Sequence, residues 1–312
     1  MFTCKSLTFF YAITPVHMGA GQALDVIDNP IERERHTDHP CFAGSGIKGA
    51  FRHAARGLWA EESELVNQVF GPEQDASDHA GAISFADAQL VAFPVRSLKG
   101  VYVYATSPLA LQRLGRLAAV AGVGLPSFSC PPLQDDKAVV LNEKLLANGN
   151  GREGSRLILE SYAFKPVVSE PEGFKALAQW LSENALPDGD AYTFFRNKLA
   201  GDLVLLSDTQ LTFFARNATV VEPHVRINDE SGTADDGGLF FTENLPPEAV
   251  MVSLTMASEE RLKKGERRDD RLSAEQVMER VRQTFDGFCL QIGGDASTGR
   301  GQVLVRLRGG TV

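Results

Sequence analysis

The sequence predicts an α+β fold built on a ferredoxin-like split βαβ unit, with a projecting hairpin and helical insertions. Three observations carry this. Residues 5–120 read in the order strand, loop, helix, strand, strand, helix. Two extended arms, 218–228 and 238–244, flank the run Ser231-Gly232-Thr233-Ala234-Asp235-Asp236-Gly237-Gly238, the pattern of a hairpin. A glycine loop at 293–301 precedes a last strand at 303–307, and in a ferredoxin-like fold the first and last strands can lie close together.

The elements follow in order. Leu7, Phe9, Tyr11 and Ile13 alternate, so residues 5–14 form a strand. A long loop runs from there to Gly46. Ile47, Ala50, Phe51, Ala54 and Leu58 then recur at helical spacing, with Ser45 as the N-cap. Residues 82–93 and 99–106 read as strands. Ser107-Pro108, a cap followed by a first-turn proline, starts a helix through Val120. About 130–200 is an irregular or helical insertion. In it Asn148-Gly149-Asn150-Gly151 marks a turn, and Phe174, Leu177, Trp180 and Leu181 share a helix face over 172–184. The hairpin occupies about 218–252, and 250–257 resembles another strand. Ser273 with Gln276 is a capping-box pattern ahead of a helix bearing Val277, Val281, Phe285 and Phe288. The whole chain, 1–312, reads as one domain without internal repeats.

Composition narrows the function. No apolar run approaches the ~20 residues of a membrane span, and no secretory signal pattern precedes the first strand, so the expected setting is cytoplasmic, with no membrane partner. The four cysteines are scattered, as in a reducing compartment. The net charge of −9 argues against a free-standing nucleic-acid binder with a basic face, but not against a basic groove. Cations do cluster: Arg33, Arg35, Lys48, Arg52 and Arg56 early, and Arg261, Lys263, Lys264, Arg267, Arg268 and Arg271 late. The late run reads equally well as a solvated loop and helix start.

Thr14–Arg52 is the most informative stretch. It holds two glycine turns, Gly19–Gly21 and Gly44–Gly49, separated by Asp25, Asp28 and the polar run Glu32–His36. Such turns bring backbone N–H groups close to phosphates. Ser45, Gly46, Lys48 and Arg52, at a helix start, read either as a phosphate-backbone site or as a plain loop-to-helix junction. The spacing is not GxxxxGK(S/T), which argues against a nucleotide hydrolase. Gly299 and Arg300, in the C-terminal loop, would line the same groove. Asp28 precedes Asn29-Pro30 and so sits at a turn, where an aspartate is usually solvated or capping. In catalysis it would orient an attacking hydroxyl or hold a divalent cation, because an ordinary carboxylate is a weak base. His17 reads either as a phosphate contact or proton donor, or as a plain loop histidine. His36, His39 and Cys41 lack the fourth ligand zinc would want.

The run His17-Met18-Gly19-Ala20-Gly21, then Val26-Ile27-Asp28-Asn29-Pro30-Ile31-Glu32-Arg33-Glu34-Arg35-His36-Thr37, then Gly44-Ser45-Gly46-Ile47-Lys48-Gly49, resembles the backbone subunit of type III-B (Cmr) CRISPR effector complexes, in the RAMP superfamily. The likeness continues through Ala92–Gly100, Gly232-Thr233-Ala234 and the C-terminal glycine loop, and spans essentially the whole chain. It implies a modified ferredoxin-like, RNA-recognition palm with a thumb hairpin. It implies copies stacked in a filament along a CRISPR guide RNA, beside other effector subunits. The thumb would displace a nucleotide of the guide–target duplex at regular intervals, and target RNA would be cut beside each one.

The family's catalytic aspartate falls on Asp28 and its guide-binding lysine on Lys48. The implied chemistry is attack of a 2′-hydroxyl on the neighbouring phosphate, which requires RNA, with Mg2+ or Mn2+ near Asp28 and no organic cofactor. Arg33, Arg35 and His36 would support the loop and nearby RNA, beside Ser45, Gly46, Lys48, Arg52, Gly299 and Arg300. His17, Glu222 and His224 are the candidates for protonating the leaving oxygen. Two other functions stay open: a non-catalytic guide-RNA scaffold, and an endoribonuclease that processes precursor CRISPR RNA. The sequence departs from the family pattern at Ala20, at Gly46-Ile47 and at Asp38-His39, and keeps both Asp28 and Lys48.

Overall fold

The computed structural model describes residues 1–21, 26–72, 79–147, 154–167, 171–263 and 265–309. In chain order its strands are β1 (Cys4–Ala12), β2 (Ile83–Phe85), β3 (Gln89–Arg96), β4 (Tyr102–Thr106), β5 (Lys137–Val140), β6 (Leu146–Ala147), β7 (Arg156–Leu159), β8 (Tyr162–Pro166), β9 (Leu203–Leu205), β10 (Val220–Ile227), β11 (Ala234–Asn244), β12 (Val250–Ala257), β13 (Cys289–Gln291) and β14 (Gln302–Gly309). Asp25, Lys264 and the turn expected at Asn148–Gly151 lie outside the described residues.

The architecture follows from the burial of β1 on both faces. Phe10 and Ala12 enter one hydrophobic cluster; Leu7, Phe9 and Tyr11 enter another on the opposite side. The alternation of Leu7, Phe9 and Tyr11 therefore reports only one of two buried faces. Ser6 and Thr8 are buried as well and satisfied, by the Arg308 carbonyl at 2.8 Å and the Thr255 hydroxyl at 2.6 Å. Strand β1 lies antiparallel between β12 and β14, and β12 pairs antiparallel with β3. The order β14-β1-β12-β3, with helices Gly44–Leu58 and Ala274–Phe285, is the ferredoxin-like frame.

The fold class stands, but the elements that complete it are not those expected. Strand β4 and helix Pro108–Ala121 do not close the split unit. A local hairpin joins β3 to β4, and the sheet runs on past them through β9, β5, β8, β7 and β6. Third strand β12 and second helix Ala274–Phe285 come much later in the chain. Residues 82–93 are not one strand either: β2 and β3 are separated at Ala86-Asp87-Ala88. The 130–200 segment, expected to be irregular or helical, contributes β5 to β8 to the sheet. These strands are only 4, 2, 4 and 5 residues long, too short for a period of two to be legible.

Both sheet faces are covered. Helices Pro108–Ala121, Phe174–Ala185 and Asp190–Gly201 place Leu111, Leu114, Phe174, Leu177, Leu181 and Leu199 against Leu7, Phe9 and Tyr11. The other face takes Ile47, Phe51, Val277, Val281 and Phe285. A ligand therefore has to be met at loops and edges. Two helix starts are built as the sequence indicates: Ser107 accepts the Ala110 N–H at 3.3 Å, and Ser273 with Gln276 completes a capping box.

Strands β10 and β11 form a separate two-stranded sheet. Its second arm begins at Ala234 rather than 238, and the hairpin ends at Asn244 rather than 252; residues 250–257 belong to the central sheet. The Asn228 carboxamide oxygen closes the turn by accepting the Glu230 and Ser231 amides, each at 3.0 Å. Among the described residues, no helix is long and apolar enough to cross a membrane.

Candidate functional site

The two glycine loops meet on the segment that leaves β1. The Gly294 N–H donates to the His17 carbonyl and the Gly301 N–H to the Pro15 carbonyl, both at 2.8 Å. Gly293 has φ +80°, and a Cβ there would fall 2.2 Å from the His17 oxygen. A Cβ on Gly46 would press on the Met18 thioether at 3.1 Å. Glycine at these two positions lets both loops close on His17-Met18.

On one side of this segment lie cations. Lys48 is half-buried, and burial, then the charges of Arg52 and Arg261, hold its ammonium below the usual lysine range. Burial, then Arg56, does the same to Arg52, which donates to the Pro72 carbonyl at 3.4 Å and whose buried Nη2 has no hydrogen-bond partner among the described residues. Arg261 packs over the Phe2 ring at 5.2 Å. Lys48, Arg52 and Arg261 make no ion pair with a carboxylate among the described residues. Like charges one helical turn apart cost a few tenths of a kcal/mol, and a phosphate between them would remove that cost.

Two expectations change here. Ser45 is not the N-cap: the helix begins at Gly44 after Ala43, and Ser45 is exposed in its first turn. The Gly44 N–H is already taken by the Asp87 carboxylate at 2.7 Å. The Gly44 amide is therefore not open to an anion, and Lys48 and Arg52 are the cations at this helix start. Two members of the late cationic run are neutralised: Arg268 pairs with Glu260 at 2.6 Å and Asp270 at 2.9 Å, and Arg271 with Glu259 at 3.0 Å.

On the other side lies the foot of the hairpin. Asp28 Oδ2 accepts the Phe241 N–H at 2.7 Å. Next to it, the Asn29 N–H donates to the Phe241 carbonyl and the Glu243 N–H to the Asn29 carbonyl, both at 3.0 Å. Asn29 thus forms a parallel bridge with Thr242 on the β11 edge, and one hydrogen bond ties the Asp28 carboxylate to the same strand. Asn29 borders a polar cavity of about 370 Å3 that also takes in His17, Glu222, His224, Phe240 and Arg300. Glu222 forms an ion pair with Arg300 and accepts from the Asn244 amide at 3.4 Å. His224 stacks on Phe240 with ring centroids 5.1 Å apart. The His17 Nδ1–H donates to the Glu243 carbonyl at 2.7 Å. Candidates from three distant parts of the chain, His17, Glu222 with His224, and Arg300, therefore share one cavity. Gly299 is exposed at the tip of the C-terminal loop, with φ +82°.

Arg33 is turned inward, contrary to its expected place beside RNA. Its guanidinium donates to Glu243 Oε1 at 2.5 Å, the Asp38 carbonyl at 2.7 Å and the Ala215 carbonyl at 3.1 Å. Arg35 and His36 are exposed. Glu34 is gripped by Arg113 and Thr37; burial alone would push its carboxyl up, but these hydrogen bonds outweigh it and hold it down. His39 is buried, with Nε2 3.1 Å from the Thr212 hydroxyl, and burial pushes the Cys41 thiol up to about 12. The zinc-like trio is thus divided between surface and interior. The residue that sequence reasoning missed is Glu243, a carboxylate buried at the hairpin foot. A glutamate in a half-exposed arm carries no signal of burial.

A split ferredoxin-like frame, a hairpin forming its own two-stranded sheet and a C-terminal glycine loop folded onto the segment that leaves the first strand define a class of proteins. A family model described as the RAMP superfamily matches residues 9–304, and the chain belongs to that superfamily. Within it, the chain falls with the Cmr4 subunits of type III-B complexes. It is 32% identical over 303 residues, covering 97% of this chain and 95% of the relative, to the CRISPR system Cmr endoribonuclease Cmr4 of Pyrococcus furiosus. The crystal structure of oligomeric Cmr4 from the same organism superposes with a TM-score of 0.74 at 27% identity, covering 99% of this chain and 100% of that one. A chain of the type III-B Cmr-beta complex bound to cognate target RNA, seen by cryo-electron microscopy, gives 0.71 at 17% identity over 98% of each chain, a likeness of fold.

Proposed function

We propose that this chain is a repeating subunit of a cytoplasmic type III-B ribonucleoprotein, and that it holds guide RNA and cuts complementary target RNA. The observation that carries this is the Asp28 carboxylate, held by the Phe241 amide of the hairpin and next in the chain to Asn29, which lines a cavity together with His17, Glu222 and His224. The related endoribonuclease and oligomeric structure support both the activity and the assembly with further copies and other effector subunits.

Lys48, Arg52 and Arg261 take the guide backbone, and the phosphates relieve their mutual repulsion. The hairpin projects into the duplex and unstacks a target nucleotide, bringing its 2′-oxygen in line with the next phosphorus. Asp28, held by the Phe241 amide, orients the 2′-hydroxyl. The new bond is 2′-oxygen to phosphorus; the bond to the 5′-oxygen breaks; the proton of the 2′-hydroxyl passes to solvent water and another, from His17 or His224, reaches the 5′-oxygen. The products are a cyclic phosphate and a 5′-hydroxyl. Among the described residues, no cluster of three or more His, Cys, Asp or Glu side chains could hold a metal ion. Asp28 alone suits a hard cation that keeps most of its shell as water and RNA phosphate, and Mg2+ or Mn2+ there would offset charge on the phosphorus.

The test is Asp28→Ala in a reconstituted complex with guide and complementary RNA. Cutting should fall by ~100-fold or more with target binding retained. Unchanged cutting would leave a guide-holding scaffold as the function. Cleavage of isolated repeat RNA would instead favour precursor processing.

A further inference from the structure

Glu243 has a cost that its surroundings explain. It is 3% exposed, and a buried carboxylate is unfavourable by several kcal/mol unless it is paired and hydrogen-bonded. Three donors meet it: Arg33 Nη2 at 2.5 Å and the Thr219 hydroxyl at 2.7 Å on Oε1, and the Ile31 N–H at 3.1 Å on Oε2. Its main chain is used as fully. The N–H donates to the Asn29 carbonyl at 3.0 Å, and the carbonyl accepts from His17 Nδ1 at 2.7 Å. One residue thus joins the Asp28 loop on two sides, the histidine of the cavity, and Thr219 at the foot of the opposite arm. Arg33 carries the connection into helix Asp208–Asn217 through the Ala215 carbonyl. The amide that fixes Asp28 belongs to Phe241, two residues away on the same strand.

We infer that the Glu243–Arg33 pair is a positioning device that locks the Asp28 loop to the hairpin, so that the two move as one body. Glu243 touches no reacting atom; it acts through Asp28 and His17. Its catalytic consequence rests on the function proposed above, whereas the mechanical coupling does not. An RNA that shifts the hairpin carries Asp28 with it, so cutting becomes conditional on the hairpin being seated.

The experiment compares wild type, Glu243→Gln and Arg33→Lys in the reconstituted complex. Glu243→Gln keeps the shape and removes the charge; Arg33→Lys keeps the charge and loses the forked geometry, a milder change should the first fail to fold. Hydrogen exchange should quicken on the order of tenfold in residues 26–31 and 239–244 together, while β1 and β12 keep their protection. Single-turnover cutting should fall on the order of 10- to 100-fold with target affinity unchanged. Asp28→Ala combined with Glu243→Gln should cut no more slowly than Asp28→Ala alone. Unchanged exchange, or loosening of one segment without the other, overturns the coupling. A further independent loss in the double variant overturns action through Asp28. If Asp28→Ala itself cuts normally, the nuclease reading fails, and the exchange measurement still decides whether the lock exists.

Discussion

The cation cluster at Lys48 and the foot of the hairpin are built on opposite principles. Around Lys48, like charges are crowded together, half-buried, with no carboxylate pairing among the described residues. At the hairpin foot, polar groups are matched: Asp28 to an amide, Glu222 to Arg300, His17 to a carbonyl, Glu243 to Arg33. The first arrangement stores repulsion that an external polyanion relieves, so it should govern affinity. The second fixes directions before any substrate arrives, so it should govern rate.

The largest effect that would sharpen this contrast is on the cation side. The combined variant Lys48→Ala, Arg52→Ala, Arg261→Ala should weaken guide binding strongly and flatten the slope of log affinity against log salt by about 2, as expected when ~3 phosphate contacts to a single strand are lost. An unchanged slope measured in a salt titration would break the comparison.

A middle-sized effect lies behind the hairpin foot. Glu248 follows β11 and receives the Tyr11 and Tyr104 hydroxyls, and burial pushes its carboxyl up to about 7. Between the ordinary glutamate value and about 7, the native chain keeps a proton that the unfolded chain releases. Its contribution to stability is therefore complete at acid pH and is lost as pH rises through 7. Glu248→Gln should flatten that decline in denaturant midpoints measured from pH 5 to 8, while the cation side is unaffected.

The smallest effect should come from the late cationic run. Arg268→Ala removes a residue already paired with Glu260 and Asp270, so guide affinity and its salt slope should stay as in wild type. A drop matching that of Lys48→Ala in the same titration would mean that neutralised charge also serves the RNA.

What the sequence disclosed divides along the range of the forces involved. The Ser107 and Ser273 caps and the β1 pattern are local, and they are legible because the residues that make them are neighbours. The ferredoxin-like frame was recognisable as a class, yet its third strand and second helix lie far down the chain, and the adjacent β3–β4 hairpin imitates them. Lys48 and Arg268 look alike in a charge count; only the fold shows that one lies beside Arg52 and Arg261 and the other beside Glu260. Asp28 read alone as a turn aspartate, and it does hold an amide; that the amide belongs to Phe241 in the hairpin is tertiary information. Glu243 and Arg33 were illegible for the same reason, since a buried ion pair across 210 residues leaves no periodicity behind.

The separation of holding from cutting can be measured directly. Guide-RNA affinity and single-turnover target cleavage are determined side by side for reconstituted complexes carrying Asp28→Ala or Lys48→Ala. The account predicts that Asp28→Ala loses cutting and keeps guide affinity, and that Lys48→Ala loses guide affinity yet cuts at the wild-type rate once guide is saturating. Equal losses of both properties in both variants would contradict it.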